Sequence, residues 1–292
     1  MTEHNENSGK YGQGAPYDHK FKAGNVGDVL KHCAMLAWID ALGDGPRWIC
    51  DTHAGAGMHA VQKQGEWNFG VGKLDVLDLA GAPAAVVRYM EAAQGKRTTD
   101  KGGLYPGSPA LLRGTVRPGD RLTLCELADE PRERLESFYA TDDAVDVRGG
   151  DGLAALRAIG EQSPEGLVAF IDPPFVSKKE WPQVAEAAIA VAQANPTATV
   201  AIWYPIKSLM RPWALASAVR EAGLPAATVD LITTPLRLKR RALNGSGLLF
   251  IRPPSGLLAT LGQSLPWLGA ALAHETAAEW TVTLSSWRGT PA

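Results

Sequence analysis

Short apolar runs alternate with amphipathic stretches along most of this chain. Runs that predict strands lie at residues 47–51, 122–126, 145–148, 167–171, 199–204, 226–232, 248–251 and 279–284. Helical patterns separate most of these runs, and this alternation predicts an α/β fold with an open, mostly parallel sheet and helices on both faces. The run at 167–171 is apolar throughout, which is expected of a central strand covered on both sides.

The region before the second long strand contains extra material. Asn25 and Asp28 predict a helix start, and Gly43 predicts the end of that helix. In a simple nucleotide-binding fold, the acid of the second strand follows the first glycine loop after about 20 residues. Glu126 follows far later here, so we predict a small helical insertion at 59–103, with helices at 74–80 and 84–93.

The domain prediction follows from these patterns and from the polar start of the chain. Residues 1–16 are polar and predict a disordered tail. Residues 17–58 and 104–292 predict one main domain, which the insertion at 59–103 interrupts.

Composition narrows the class of protein. The chain has 292 residues, of which 45% are hydrophobic and 21% charged, as in an ordinary globular core. No apolar run is long enough to cross a bilayer, and Cys33, Cys50 and Cys125 form no C-x-x-C pair. These features predict a reduced, cytoplasmic protein with buried thiols. The net charge is −2, so any nucleic-acid binding requires a local basic patch.

The segment 171–175 carries the most informative chemistry. Pro173 keeps Asp172 out of the helical region, which leaves its carboxylate at the carboxyl end of a strand, where α/β sheets place ligands. The two prolines have no N–H, so the loop offers mainly acceptors, which suit a planar NH2 group. Phe175 can stack on the ring that carries this group. A plain strand-ending turn is the alternative.

Further acids and glycines follow the other strand ends. Asp51 precedes a glycine turn at 53–57 that includes His53 and Gly55, and this turn suits a nucleotide-type ligand close to bare backbone. Glu126 can accept hydrogen bonds from ribose hydroxyls, and Asp151-Gly152 can meet an adenine amino group. For each acid the alternative is a helix cap. A P-loop and a complete dinucleotide motif are absent from the sequence.

Other reactive residues have simpler explanations. His32 and His53 have no third ligand at metal-binding spacing, so we predict no metal site. Ser108 lacks the G-x-S-x-G elbow of serine hydrolases. Trp203, beside the predicted site, is the tryptophan for which a role beyond packing is most expected.

Acids at successive strand ends followed by D-P-P-F resemble the S-adenosylmethionine-dependent amino-methyltransferases that act on adenine N6. A closer resemblance, to the RlmJ family of bacterial 23S ribosomal RNA adenine-N6 methyltransferases, covers nearly the whole chain from Tyr17. The segments that carry it are 17–25, 28–32, 51–57, 105–109, 171–175, 203–205 and 246–247. The resemblance implies a Rossmann-like class I methyltransferase fold with a seven-stranded sheet.

The resemblance also implies site residues. The cofactor and catalytic site would contain Lys31, His32, His53, Gly55, Ser108, Glu126, Asp151, Gly152 and Asp172, with S-adenosylmethionine as the methyl donor. Asp172 and Pro173 would orient the target amine. Phe175, together with Tyr17, would clamp the base. Phe175 departs from the usual tyrosine, and Val26-Gly27 replaces a more polar pair.

Ribosomal RNA is the expected partner. Arg237, Lys239, Arg240 and Arg241 form a basic run that predicts phosphate contacts, although a solvated loop is the commoner fate of such a run. Tyr17, His19 and Lys31 are expected to contact RNA as well. The acceptor loop alone does not separate RNA adenine from DNA adenine or a protein glutamine amide. A non-catalytic nucleic-acid-binding protein linked to use of external DNA is a further alternative, and a monomer is the default assembly.

Overall fold

The computed structural model describes residues 19–94, 103–238, 243–274 and 279–289. The predicted tail at 1–16 lies outside them. The strands of these ranges, in chain order, are β1 Trp48–Asp51, β2 Met58–Ala60, β3 Leu104–Pro106, β4 Arg121–Glu126, β5 Val145–Gly149, β6 Leu167–Ile171, β7 Thr199–Ile206, β8 Ala226–Ile232, β9 Gly245–Ile251 and β10 Thr281–Trp287. The helices are α1 His19–Lys22, α2 Val26–Asp40, α3 Val71–Asp75, α4 Ala84–Gln94, α5 Ser108–Arg113, α6 Asp129–Phe138, α7 Gly152–Glu161, α8 Glu180–Ala194, α9 Met210–Glu221 and α10 Leu257–Leu272.

The main sheet has the order β10-β8-β9-β7-β6-β1-β4-β5. The five neighbours β5, β4, β1, β6 and β7 pair in parallel, whereas β9 lies antiparallel between β7 and β8. The predicted Rossmann-like, mostly parallel sheet is therefore confirmed.

The seven strands that the resemblance implies are one too few, because the run predicted at 279–284 forms β10 and adds an eighth strand at one edge. It pairs antiparallel with β8 along its whole length, from Thr281 opposite Ile232 to Trp287 opposite Ala226. The Trp287 indole N–H also donates to the Leu224 carbonyl at 2.9 Å. Without this pairing β8 would present an open row of backbone donors and acceptors, which proteins usually cover.

Helices cover both faces of the sheet and divide the core in two. Alternation along β6 sends Val168 and Phe170 into the cluster that contains α2, α4 and α10. Leu167, Ala169 and Ile171 point into the cluster formed with α7, α8 and α9. The apolar run therefore reflects burial on both sides, as expected of a central parallel strand.

The start of α2 matches the capping pattern. The Asn25 side chain accepts a hydrogen bond from the Asp28 amide at 3.0 Å. Asp28 in turn accepts from the Gly24 amide at 2.9 Å. The helix ends at Asp40, three residues before the predicted stop at Gly43. The helix that begins at this cap carries Lys31, whose side chain reaches Asp172 at the carboxyl edge of the sheet.

The region of the predicted insertion begins and ends with the antiparallel pair β2–β3. The predicted helix at 84–93 is confirmed as α4. The predicted helix at 74–80 is wrong, because α3 ends at Asp75. Beyond that point the Asp78 side chain accepts from the Ala80 amide at 2.9 Å and stabilises a turn instead. The domain boundaries stay a prediction.

Candidate functional site

The carboxyl ends of neighbouring parallel strands bring the predicted acids to one edge of the sheet. Asp51 ends β1, Glu126 ends β4, and Asp172 follows β6 directly. Asp151 follows β5 and precedes α7. Since β5, β4, β1 and β6 are adjacent in this order, the four acids share one edge, where α/β sheets bind ligands.

Lys31 connects helix α2 to the loop that begins with Asp172. Its Nζ lies 2.8 Å from Asp172 Oδ2 and 2.7 Å from Asp28 Oδ1. Burial lowers the pKa of Lys31, but attraction to Asp172 and Asp28 outweighs burial, so the pKa lies above its ordinary value. Lys31 is therefore a permanent cation between two carboxylates. In the parts of the chain that the structure describes, no residue donates a hydrogen bond to Asp172 Oδ1.

The loop after Asp172 is held by aromatic packing. Phe175 has a backbone φ of 48°, which is strained for a bulky residue. Its ring lies 4.3 Å from the Trp181 ring and 6.5 Å from the Trp203 ring, centroid to centroid. Phe175 is only 5% exposed, so it does not present the open stacking face that the sequence led us to expect. The Trp181 and Trp203 rings already occupy its surface, and stacking on a base would require the loop to move.

Asp51 is a buried acid that the glycine turn and Ser108 enclose. The Ser108 hydroxyl donates to Asp51 Oδ2 at 2.6 Å, and the His53 amide donates to Oδ1 at 3.2 Å. Burial raises the pKa of the Asp51 carboxyl to about 7, although both hydrogen bonds favour the ionised form. Ser108 is therefore a buried hydrogen-bond partner of Asp51.

Asp51→Asn is expected to remove a pH dependence of stability. The raised pKa keeps a proton on the folded carboxyl where the unfolded chain has lost it, so the stabilisation is full below about pH 4 and is lost as pH rises to about 7. At 1.36 kcal/mol per pKa unit, wild type should lose roughly 4 kcal/mol at most relative to Asp51→Asn between these limits. Urea unfolding across this range measures the difference.

The exposed acid Asp143 provides the control for this experiment. Asp143→Asn should follow the wild-type pH profile. Parallel profiles for wild type and Asp51→Asn would show that Asp51 is ionised in the folded protein at all these pH values.

Glu126 and Asp151 organise backbone at the ends of their strands. Glu126 Oε2 accepts from the Gly55 amide at 2.8 Å, and Oε1 accepts from the Ala128 amide at 2.8 Å. Asp151 Oδ1 caps α7 by accepting from the Leu153 amide at 2.8 Å. Asp151 is thus a helix cap, as its alternative interpretation predicted. Its second oxygen, Oδ2, receives no hydrogen bond from the described residues. Each carboxylate oxygen has two acceptor sites, so these bonds still leave acceptors for a ligand.

Two positions near the site require glycine, Gly55 and Gly152, and the structural reason differs between them. Gly55 has a φ of +63°, a left-handed conformation that residues with a side chain rarely adopt. A Cβ on Gly152 would lie 1.9 Å from the Thr52 carbonyl oxygen. Gly152 is therefore required because the backbone after β1 passes directly against it.

Glu180 is a residue of the site that the sequence reasoning missed. Burial lowers the pKa of His53 below its ordinary value, against the opposing effect of four surrounding carboxylates. These belong to Asp172, Glu126, Asp151 and Glu180. Glu180 Oε1 accepts from the Ser177 amide at 3.1 Å, while its buried Oε2 has no partner among the described residues. In sequence Glu180 resembles an ordinary first-turn helix acid, so only the fold reveals its electrostatic effect on His53.

Two tyrosines connect His32 to the α4 region. His32 Nδ1 and the Tyr105 hydroxyl are 2.8 Å apart, and the Tyr105 and Tyr89 hydroxyls are 2.9 Å apart. All three side chains are buried. Tyr105 was visible in the sequence as part of a motif, but no sequence signal links Tyr89 to the site.

Since the resemblance implies that His32 helps to hold S-adenosylmethionine, Tyr89→Phe is expected to weaken binding of this cofactor without changing kcat at saturating cofactor. Loss of a hydrogen bond worth about 0.5–1.5 kcal/mol would loosen Tyr105 and the orientation of His32, and raise Kd about 2- to 13-fold. Calorimetric titration measures the Kd. Tyr139→Phe is the matched control, because the buried Tyr139 hydroxyl has no partner in the described ranges. Equal Kd values for wild type and Tyr89→Phe would remove the tyrosine pair from cofactor binding.

The residues expected to contact RNA have mixed placements. Arg237 is exposed and forms two hydrogen bonds with Glu279, at 2.7 and 2.8 Å. Lys31 is 6% exposed and bound to two carboxylates, so its environment does not favour the expected phosphate contact. Tyr17, the His19 side chain, Lys239, Arg240 and Arg241 lie outside the described part.

Among the described residues, no group of three or more His, Cys, Asp or Glu side chains could hold a metal ion. No described helix has the length and apolar character needed to cross a membrane. The three cysteines are free and buried, as predicted.

The polar groups at this edge of the sheet fit a cationic nucleoside better than a dinucleotide. Carboxylates of Glu126, Asp151 and Asp172 supply acceptors for hydroxyl and amino groups and negative charge for a cation. Gly55 brings bare backbone to the same edge.

Comparison with known proteins agrees with this geometry. Residues 44–287 match the family described as ribosomal RNA large subunit methyltransferase D, RlmJ. The ribosomal RNA large subunit methyltransferase J of Escherichia coli is 30% identical over 265 residues, which cover 88% of this chain and 93% of the relative. The protein of that name from Haemophilus influenzae is 29% identical over 280 residues, with 91% and 97% covered.

A crystal structure of a Legionella pneumophila protein has the same fold, with a TM-score of 0.81 at 24% identity, covering 90% of this chain and 98% of that one. The family match spans most of the sheet and every strand-end acid described above. With the identity to the Escherichia coli relative along nearly its whole length, these findings establish that this chain is a methyltransferase of the RlmJ family.

Proposed function

We propose that this protein methylates N6 of a specific adenine in 23S ribosomal RNA with S-adenosylmethionine as donor. The observation that carries the proposal is the acceptor arrangement at the end of β6. Lys31 holds Asp172 Oδ2, while no described residue donates to Asp172 Oδ1 or to the Pro173 carbonyl. The site therefore offers two hydrogen-bond acceptors to an incoming NH2 group.

Asp172 and Pro173 would act by orienting the amine. The N6 lone pair of adenine is delocalised into the ring and points nowhere useful for attack. Two acceptors that hold both N–H hydrogens favour a pyramidal nitrogen with a directed lone pair, and such orientation supplies most of the catalysis. The Asp172 carboxylate then accepts the proton that the methylated amine releases. A strong base is unnecessary, because that proton is acidic only after transfer.

Lys31 and Asp28 would hold Asp172 in place. The Lys31 ammonium sits between both carboxylates and is the cation that pairs with each of them. Trp203 covers the same ammonium at 5.5 Å, in addition to its contact with Phe175. Lys31 thus contacts Asp172 at the start of the loop directly, and it is connected to Phe175 at the end of the loop through Trp203.

The cofactor would lie along the edge formed by the ends of β1, β4, β5 and β6. Bound there, S-adenosylmethionine supplies an electrophilic methyl group on a sulfonium cation. The residues that would hold it are Lys31, His32, His53, Gly55, Ser108, Glu126, Asp151, Gly152 and Asp172. Acceptance of ribose hydroxyls by Glu126, and of the adenine amine by Asp151, uses the oxygen sites that their backbone bonds leave open.

The substrate assignment rests on the family. The curated relatives carry ribosomal RNA large subunit methyltransferase in their names, which favours ribosomal RNA over DNA adenine or a glutamine amide. The target base would be unstacked, at lower cost in a single-stranded or irregular region. We propose that the protein acts in the cytoplasm as a monomer.

Methyl transfer to defined acceptors tests the proposal. The purified protein is incubated with labelled S-adenosylmethionine and one of three acceptors: an unmodified 23S ribosomal RNA transcript, adenine-containing duplex DNA or a glutamine peptide. Label in the RNA, recovered as N6-methyladenosine after digestion, is expected. Transfer to DNA or peptide alone would contradict the assignment of the substrate. Absence of cofactor binding would favour a non-catalytic nucleic-acid-binding protein.

A further inference from the structure

The carboxyl edge of the sheet carries a second surface beside the Asp172 loop. β6 and β7 are parallel neighbours, with Ile171 aligned to Ile202, so the segments that follow them leave the same edge. The segment after β6 begins with Asp172, and the segment after β7 begins with Lys207. The contact between the Phe175 ring and Trp203 of β7 holds the first segment against the second strand. A substrate bound at Asp172 therefore lies beside both segments.

This surface, which we name the strand-end platform, is rich in exposed cations. Its residues are Lys178, Lys179, Lys207, Met210, Arg211 and Trp213, and all of them are exposed. None of its four cationic side chains forms an ion pair with another residue in the described ranges. The sequence stretches 173–185 and 207–220 contain one acid, Glu180.

Elsewhere on the protein, some exposed cations have acidic partners. Arg134 pairs with Glu130 at 2.5 Å and Arg148 pairs with Asp146 at 2.7 Å. The platform differs in that four cations without an ion-pair partner among the described residues lie on two neighbouring segments of a chain whose net charge is −2. Local positive charge without acidic partners attracts a polyanion, and neutralising phosphates releases their counterions.

The platform also exposes two large apolar side chains in the first turn of α9. Met210 is 80% exposed and Trp213 is 71% exposed. An aromatic ring beside cations is the combination with which proteins bind single-stranded nucleic acid, since each base offers a face for stacking. Charge and aromatic exposure together therefore indicate a single-stranded polyanion as the occupant.

We propose that the strand-end platform binds the single-stranded RNA that flanks the target adenine. Lys207 and Arg211, with Lys178 and Lys179, contact backbone phosphates, and Trp213 stacks on a neighbouring base. The inference rests on the proposed function, because it names the surface that holds the substrate strand while Asp172 engages the adenine.

Charge reversal tests the phosphate contacts. The double variant Lys207→Glu, Arg211→Glu should bind a fluorescent single-stranded fragment of 23S ribosomal RNA about tenfold or more weakly at roughly 0.15 M salt. The slope of log affinity against log salt should become shallower by about 1.4, which corresponds to two lost phosphate contacts on a single strand. The Kd for S-adenosylmethionine should not change.

A second double variant controls for net charge. Arg88 pairs with Asp40 at the end of α2 far from Lys31, and Arg121 lies at the start of β4, on the opposite edge of the sheet. Arg88→Glu, Arg121→Glu alters the net charge equally and should keep the wild-type salt slope. RNA binding with wild-type affinity and slope by Lys207→Glu, Arg211→Glu would overturn the proposal.

Substitution of Trp213 tests the stacking separately. Trp213→Ala should lower RNA affinity about 5- to 150-fold, the range measured for single base–aromatic stacks, with no change in the salt slope. Trp213→Phe should restore most of the affinity. If Trp213→Phe binds as poorly as Trp213→Ala, the ring does not stack on a base.

These binding measurements need no methyl transfer, so they distinguish this inference from the proposed function. Wild-type binding that depends on the platform without methylation of 23S ribosomal RNA would contradict the proposed function alone. Methylation that persists with unchanged RNA affinity in all platform variants would contradict the platform alone. Equal affinity of the wild type for duplex DNA, with equal losses in the variants, would overturn single-stranded RNA as the occupant.

Discussion

Asp172→Asn is expected to lower kcat for methylation of 23S ribosomal RNA by about 10²–10³-fold, the usual effect of removing one oriented electrostatic group. Asparagine preserves the size of the side chain, but it removes the negative charge that pairs with Lys31 and accepts the amine proton. Its amide can also turn a donor toward the target NH2 group, where an acceptor is needed. Single-turnover assays at saturating RNA and cofactor measure the chemical step without changes in binding.

Asp230→Asn is the matched control for this prediction. Asp230 is another partly buried acid at the sheet, and it accepts from the Tyr204 hydroxyl at 2.7 Å. Burial raises the pKa of Asp230, which the Tyr204 hydrogen bond only partly offsets. Its neutral variant should therefore retain kcat. A kcat for Asp172→Asn within about threefold of wild type would remove Asp172 from catalysis, because orientation and electrostatics supply far more in such sites.

Lys31→Met is expected to destabilise the protein by about 3–5 kcal/mol and to abolish turnover. Methionine fills a similar volume, but it leaves the buried Asp28 and Asp172 carboxylates without the cation that lies 2.7 and 2.8 Å from them. The two negative charges then repel each other in a poorly solvated site. Urea unfolding measures the loss of stability, and methyl transfer below the unfolding transition measures activity.

Two variants separate charge from packing in this experiment. Lys31→Arg retains the cation and should recover most of the stability. Lys73→Met removes a lysine whose Nζ donates a hydrogen bond to the Ala273 carbonyl at 3.0 Å, so it should cost about 1 kcal/mol or less. If Lys31→Met is as stable as Lys73→Met, the buried ion pairs contribute little net stability.

Part of the site was visible in the sequence because the relevant features are local. The apolar run of β6 followed by two prolines leaves Asp172 at a strand end whatever the rest of the chain does. Glycines in left-handed turns, such as Gly55, have the same local character. Strand ends of a parallel sheet meet at one edge, so the proximity of Glu126 and Asp172 followed from the fold class.

Other parts of the site depend on residues far apart in sequence. The Lys31–Asp172 pair, the tyrosine chain to His32 and the electrostatic effect of Glu180 on His53 each require helices to pack against a specific strand end. Phe175 illustrates the limit most clearly, since a residue expected to be open is buried by Trp181 and Trp203.

The amino-acid order alone was enough to establish an α/β fold with acids at its ligand edge, because strand periodicity and turn chemistry act over a few residues. The pairing of β10 with β8, the ionisation of Asp51 and the unpaired charge of the strand-end platform were decided only by tertiary structure. Edge pairing, burial and the distance between opposite charges depend on how distant segments pack, and no local pattern encodes that geometry.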